Sequence, residues 1–306
     1  MVDPVTMDSR TCRWAEYIDE VTTGTLPTNP AMVAFPCNVT KFEFKHDPIS
    51  DDYSSMNGPT CATPREHGVS NKVAEDLSFS VTGKATGVDL VPYALMGDTT
   101  TTYAIGKVPH YVSIGMFMGT DYAVLKGCLM EELVFDFPSR SATCEMTATY
   151  QAMDIAHWGA TDYKGTGSHA SAVTDTPLNF GSITSPTIES GTFAASNMLL
   201  NSLKFGFTNN IEGVENIGAT TASKYSIFSI GDIEKTLEMN VTFLDAEVYD
   251  LLTDGAVKDF SFALDGKTFT YTNVVLEPLG SVAVEAADTL GASISIKPGT
   301  GALTIA

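Results

Sequence analysis

The sequence predicts a mostly β (α+β) protein built from two tandem antiparallel β-sandwich or barrel domains, each flanked by a short helix. Three observations carry this. Leu77, Phe79 and Val81 alternate with polar residues, as do Leu237, Met239, Val241 and Phe243; a period of two gives a strand one buried face. These runs also belong to longer stretches that recur in order. "NVTKFEFKHDPI" (38–49) matches "NSLKFGFTNNIE" (201–212) at an offset of 163, through Asn38 and Asn201, Lys41 and Lys204, Phe42 and Phe205, Phe44 and Phe207. Leu77, Val81 and Thr82 match Leu237, Val241 and Thr242 at an offset of 160. Finally, turn residues punctuate the runs: Pro138-Ser139, the two-residue signal Asp265-Gly266, and Asp288 to Gly291.

The elements follow in order. Residues 1–29 form an N-terminal leader arm and 30–155 the first copy. After its two strands, Val88, Val91 and Leu95 fall at helical spacing, with Pro92 tolerable only in a first turn. Residues 110–150 then read as a hairpin and a further pair of strands, with Leu133, Phe135 and Phe137 alternating, as do Ala142, Cys144, Met146 and Ala148. Residues 156–194, rich in Gly, Ser, Thr and Ala, read as a linker or extended loop outside the core, and "GTGSHAS" (165–171) within them as flexible loop. The second copy, 195–306, repeats the series: two strands, a helix from Val248, Leu251 and Leu252 capped by Asp245, and paired strands over 258–296.

Composition narrows the function. The 306 residues are 43% hydrophobic and 18% charged, which supports real cores and excludes disorder. The net charge is −20, and the acidic excess is spread along the chain: 20 acidic and 10 basic residues in 1–155, 17 and 7 in 156–306. Such a surface repels phosphate and argues against wrapping nucleic acid, though not against standing near it. Five cysteines, no CxxC and an odd count point to buried thiols in a reducing compartment. "MVDPVTMDSR" lacks the pattern of a signal peptide, and no apolar stretch approaches the ~20 residues that span a bilayer.

Catalytic signals are missing. His46, His67, His110, His157 and His169 are scattered without metal-ligand spacing, and there is no GxGxxG, Walker-type loop or Gly-x-Ser-x-Gly. "HDPISDD" (46–52) offers oxygens suited to calcium but lacks EF-hand spacing, and reads as a solvated acidic loop. Glu131 and Glu132, adjacent on a strand, are expected on opposite faces, unable to work together on one bond. The sequons at Asn38 and Asn240 lie in or beside strands, and Trp14 and Trp158 read as packing anchors. No catalytic residue, cofactor site or metal ligand is nominated.

The order of motifs resembles the tail tube proteins of long-tailed (siphovirus-like) bacterial and archaeal viruses, in a duplicated two-domain form. The leader carries Glu20, Thr23-Gly24, Pro27 and Asn29-Pro30 before the first strand, as that family does. The second copy pairs Asn209-Asn210-Ile211-Glu212 with a strand led by Gly231 and ending in Phe243-Leu244-Asp245. The departures are Pro92 in the first helix and the unmatched linker. The resemblance implies a structural virion protein without enzyme activity or cofactor, located in the tail and assembled in the host cytoplasm. Its partners would be itself, other tail proteins at the tube ends, and double-stranded DNA passing through without specific binding; no membrane insertion is implied. Six-position rings would need three chains of two copies each. Candidate lumen-lining acids are Asp121, Glu132, Asp136, Glu238 and Asp265. The alternatives are a two-domain carbohydrate-binding or adhesive module, motivated by Trp14, Trp158 and the HDPISDD acids, and a hydrolase assembled from scattered acids.

Overall fold

The computed structural model of the chain describes residues 13–53, 69–188, 191–192, 198–215, 225–243, 258–274, 282–284, 290–295 and 301–306. It is mostly β, 61% strand and 4% helix, in antiparallel sheets. The first half comprises β1 (Trp14–Asp19), β2 (Val33–Ala34), β3 (Cys37–Tyr53), β4 (Val69–Ala85), α1 (Val91–Leu95), β5 (Val112–Phe117), β6 (Tyr122–Phe137), β7 (Glu145–Ala152) and β8 (Asp154–Gly159). The second comprises β9 (Thr184–Ile188), β10 (Gly191–Thr192), β11 (Met198–Glu215), β12 (Tyr225–Phe243), β13 (Lys258–Leu264), β14 (Lys267–Val274), β15 (Val282–Val284), β16 (Leu290–Ser295) and β17 (Ala302–Ile305).

The two halves share one pairing scheme. In the first, β4 pairs with β3 and β7, β7 with β6, β6 with β5 and β8, β5 with β1, and β1 with β2. In the second, β12 pairs with β11 and β16, and β16 with β15; β14 pairs with β13 and β17, β13 with β9, and β9 with β10. The role of the single long β6 is divided in the second half between β14 and β15. β6 passes from one sheet to the other by bending at Gly127 (φ +62°) and at a bulge between Met130 and Glu132. Gly127 is required there, because a Cβ would stand 2.6 Å from the Met153 sulfur.

Alternation decides what is buried. Leu77, Phe79, Val81, Leu133, Phe135, Phe137, Cys144, Met146 and Ala148 are at most 1% exposed, with Leu237, Met239 and Val241 beside them in the same core. Asp265 and Gly266 both take positive φ, 51° and 71°, as a tight hairpin turn requires. α1 is a single turn with Pro92 at its start, so the flanking helix is barely present in the first half. The second expected helix, with Asp245, and the turn from Asp288 lie wholly or partly outside the described residues.

Several expectations are corrected. The expected leader is not without structure, since it holds β1, and the expected linker holds the corresponding strand β9. The 156–194 segment also contributes Leu178, Ile183 and Ile188 to the core. "HDPISDD" is not a loop; its backbone continues β3, paired with β4 from Asp47–Asp76 to Asp52–Ser70. The two sequence offsets cannot both hold: Phe42 pairs with Val81, whereas Val241 pairs with Leu200 rather than Phe205. Aligning the bulged residues Thr40 and Asn201 instead gives an offset of 161, so Phe42 corresponds to Leu203 and Phe44 to Phe205. A slip of two residues leaves a period-two pattern unchanged, so apolar matches alone do not fix register.

Candidate functional site: the open face of the joined sheet

The halves join edge to edge. β11 pairs antiparallel with β6 from Leu203–Phe137 to Thr208–Glu132. This makes one run of eight strands, in the order β15, β16, β12, β11, β6, β7, β4, β3. On the core side Phe205 stacks on Phe135 at 5.0 Å and packs against Phe262 and Phe269. Asn209, 4% exposed, donates from Nδ2 to the carbonyls of Ala94 (2.9 Å) and Met130 (3.1 Å), tying the second half to α1 and β6.

The opposite face is polar, because every residue between the buried ones points the other way. Register places Lys84, Glu145, Asp136, Lys204 and Glu238 in one row across β4, β7, β6, β11 and β12. The row two residues along is Thr82, Thr147, Val134, Gly206 and Thr236; the next carries Ser80, Thr149, Glu132, Thr208 and Glu234, with Glu43 on β3 at the same level. Three lysines on this face stand beside carboxylates: Lys84 bonds Glu145 at 3.0 Å, Lys41 bonds Glu43 at 2.6 Å, and Lys204 lies opposite both Asp136 and Glu238; Lys45, two residues beyond Glu43, shares the face. Burial raises the Asp136 carboxyl, opposed by Lys204 and reinforced by Glu145 and Glu238, so the row acts as one electrostatic unit.

Three of the five candidate acids, Glu132, Asp136 and Glu238, therefore share this face. The other two do not. Asp121 sits in the β5–β6 turn, where its carboxylate accepts from Thr120 Oγ1 at 3.1 Å. Asp265 sits in the β13–β14 turn and accepts from the Val88 backbone N–H at 3.1 Å. It also helps raise the nearby Asp89 carboxyl, for which burial is the larger cause. Glu131 and Glu132 do not alternate: the bulge interrupts the pleat and both are half-buried.

Sequence reasoning missed a second constellation, beside β1. Glu16, 2% exposed, accepts from Tyr163 Oη (2.5 Å) and the Ala170 N–H (2.7 Å), and lies 2.7 Å from His169 Nδ1. His169 Nε2 is 3.0 Å from Asp162, which Lys164 also bonds at 2.8 Å, and Trp14 packs on the imidazole at 4.4 Å. "GTGSHAS" is thus pinned: Ser168 also exchanges backbone bonds with Pro30 and Met32, and Asn29 Oδ1 accepts from the Thr166 N–H. The leader motif acts alike, with Glu20 accepting from the Gly24 N–H, Ser113 Oγ and the Gly127 N–H. The Glu16, Tyr163, His169 and Asp162 side chains bond one another or the backbone beside them, so the cluster reads as a structural lock.

Among the described residues no group of three His, Cys, Asp or Glu side chains is placed to hold a metal. Cys37, Cys128 and Cys144 are free and buried, with Cys37 and Cys144 pushed up to about 12 by burial. No described helix is long and apolar enough to cross a membrane. Neither a protein-family model nor a curated protein sequence matches the chain.

Proposed function

We propose that this protein is a structural subunit of a viral tail tube, three chains forming a six-position ring around a conduit for double-stranded DNA, with no catalysis. The observation that carries this reading is the β6–β11 junction. Two halves of like pairing meet through unlike edges, one offering its β6 side and the other its β11 side. A contact of this head-to-tail kind, repeated between chains, closes into a ring, and rings that stack give an open-ended tube.

The open face suits the lumen. It is lined by hydroxyls and acids, and its lysines at positions 41, 84 and 204 have carboxylates as neighbours. The acids beside these lysines repel phosphates sliding past, which keeps binding weak. Negative-stain microscopy of the purified protein, with the particles averaged along their axis, tests the reading. Rings or tubes with a central hole and threefold symmetry are expected. A monomer at every concentration and salt would sink it.

A further inference from the structure

We infer that the β3 edge and the apolar seam beneath it receive the β15 edge of a second copy of this chain, with Phe42 opposite Val284 and Phe44 opposite Val282. The inference rests on the ring reading and names the surface that makes the ring. β3 and β15 end the eight-strand order; among the described strands β3 pairs only with β4 through its long register, and β15 only with β16. β3 is 17 residues long, and a long edge of this kind is a template for another strand.

The seam is apolar. Val39, Phe42, Phe44 and Met118 are only partly buried against the core, and Trp158, 5.8 Å from Phe44, is 54% exposed. With the nearby polar residues they line a cleft of about 530 Å³. The second half shows what covers such a seam. Leu203 and Phe205, the bulge-aligned counterparts of Phe42 and Phe44, are 0% exposed because β6 lies over them, with Phe137 and Phe135 directly opposite. β15 is the second half's counterpart of that part of β6, since it pairs with β16 as β6 pairs with β7. Carrying the β6–β11 register through the repeat sets Phe42 against Val284, Glu43 against Ala283 and Phe44 against Val282.

Within one chain seven strand spacings, about 34 Å along the sheet at ~4.8 Å each, lie between these edges, and among the described strands the two do not pair with each other, so a second copy is the partner that brings them together. The test pairs Glu43→Cys with Ala283→Cys, in a background with Cys12→Ser and Cys61→Ser. Mild oxidation, non-reducing denaturing electrophoresis and microscopy follow. Covalent dimers and trimers are expected from the double variant and none from either single variant. Rings or tubes that form without the cross-link, or a disulfide confined to single chains, overturn this contact and leave the ring reading standing. Protein that stays monomeric throughout overturns both. In unaltered protein, amide exchange over residues 41–45 should slow by about tenfold or more on assembly; unchanged exchange in assembled particles counts against the contact even if the variants misfold.

Discussion

Phe135 and Phe205 lie directly opposite each other on β6 and β11, their rings stacked at 5.0 Å and 15°. One comes from each half, and both are 0% exposed. Phe205→Ala is therefore expected to cost about 3–5 kcal/mol in urea unfolding, the range for a large buried aromatic. Phe42→Ala, on the half-covered β3 seam, should cost about 1–2 kcal/mol in the dissociated chain. Equal losses at the two positions would contradict the difference in covering.

Asn209 makes the polar counterpart of that junction. Asn209→Leu keeps the size but leaves the Ala94 and Met130 carbonyls without its amide. A loss of about 1–3 kcal/mol is expected, since buried acceptors pay their full desolvation when a donor is removed. Thermal unfolding followed by circular dichroism measures it. A neutral substitution would mean that the two bonds add nothing to the junction.

Two carboxylates should respond to pH with opposite signs. Burial tends to raise the Asp162 carboxyl, but hydrogen bonds from Lys164 and His169 outweigh it and hold the group at about 2. Its stabilisation is present above the ordinary carboxylate value and fades as pH falls toward 2, a contribution of about 1 kcal/mol for a pair open to solvent. Asp162→Asn should lose that stability at neutral pH and flatten the acid limb of the curve. Asp136 is raised instead, so its ionisation opposes folding at neutral pH and the penalty disappears in acid. Asp136→Asn should therefore stabilise the chain at pH 7 and gain less as pH drops. Urea midpoints across pH check both signs.

The open face also predicts a change in nucleic-acid behaviour. Combining Glu132→Lys, Asp136→Lys and Glu238→Lys should make assembled particles retain double-stranded DNA at about 50 mM salt and release it by about 200 mM, while the unaltered protein retains none. Asp121→Lys, in the β5–β6 turn away from this face, should leave retention unchanged. Filter binding across salt decides it. Retention by the Asp121 variant and not by the triple variant would place the DNA path elsewhere.

Much of the local structure was legible in the residues. Strict alternation marked β4, β6, β7 and β12 and assigned their buried faces; Asp265-Gly266 marked a hairpin whose two residues take positive φ; and Pro92 was confined to a first turn. The role of Glu16 was not legible. In "WAEYID" it looks like a surface acid, yet it is buried because Tyr163, His169 and Ala170 arrive from more than a hundred residues away. Nor was β9, whose stretch TSPTI has no apolar alternation and becomes a strand by pairing with β13.

The sequence by itself determined which residues alternate, where the chain turns and that similar stretches recur in order, since each depends on neighbours within a few residues. Tertiary structure decided the register, the bulges that shift the repeat offset to 161, and the joining of two halves through β6 and β11. These depend on hydrogen bonds between strands far apart in the chain. A period-two pattern looks the same after a slip of two, so only the paired backbone selects among the alternatives.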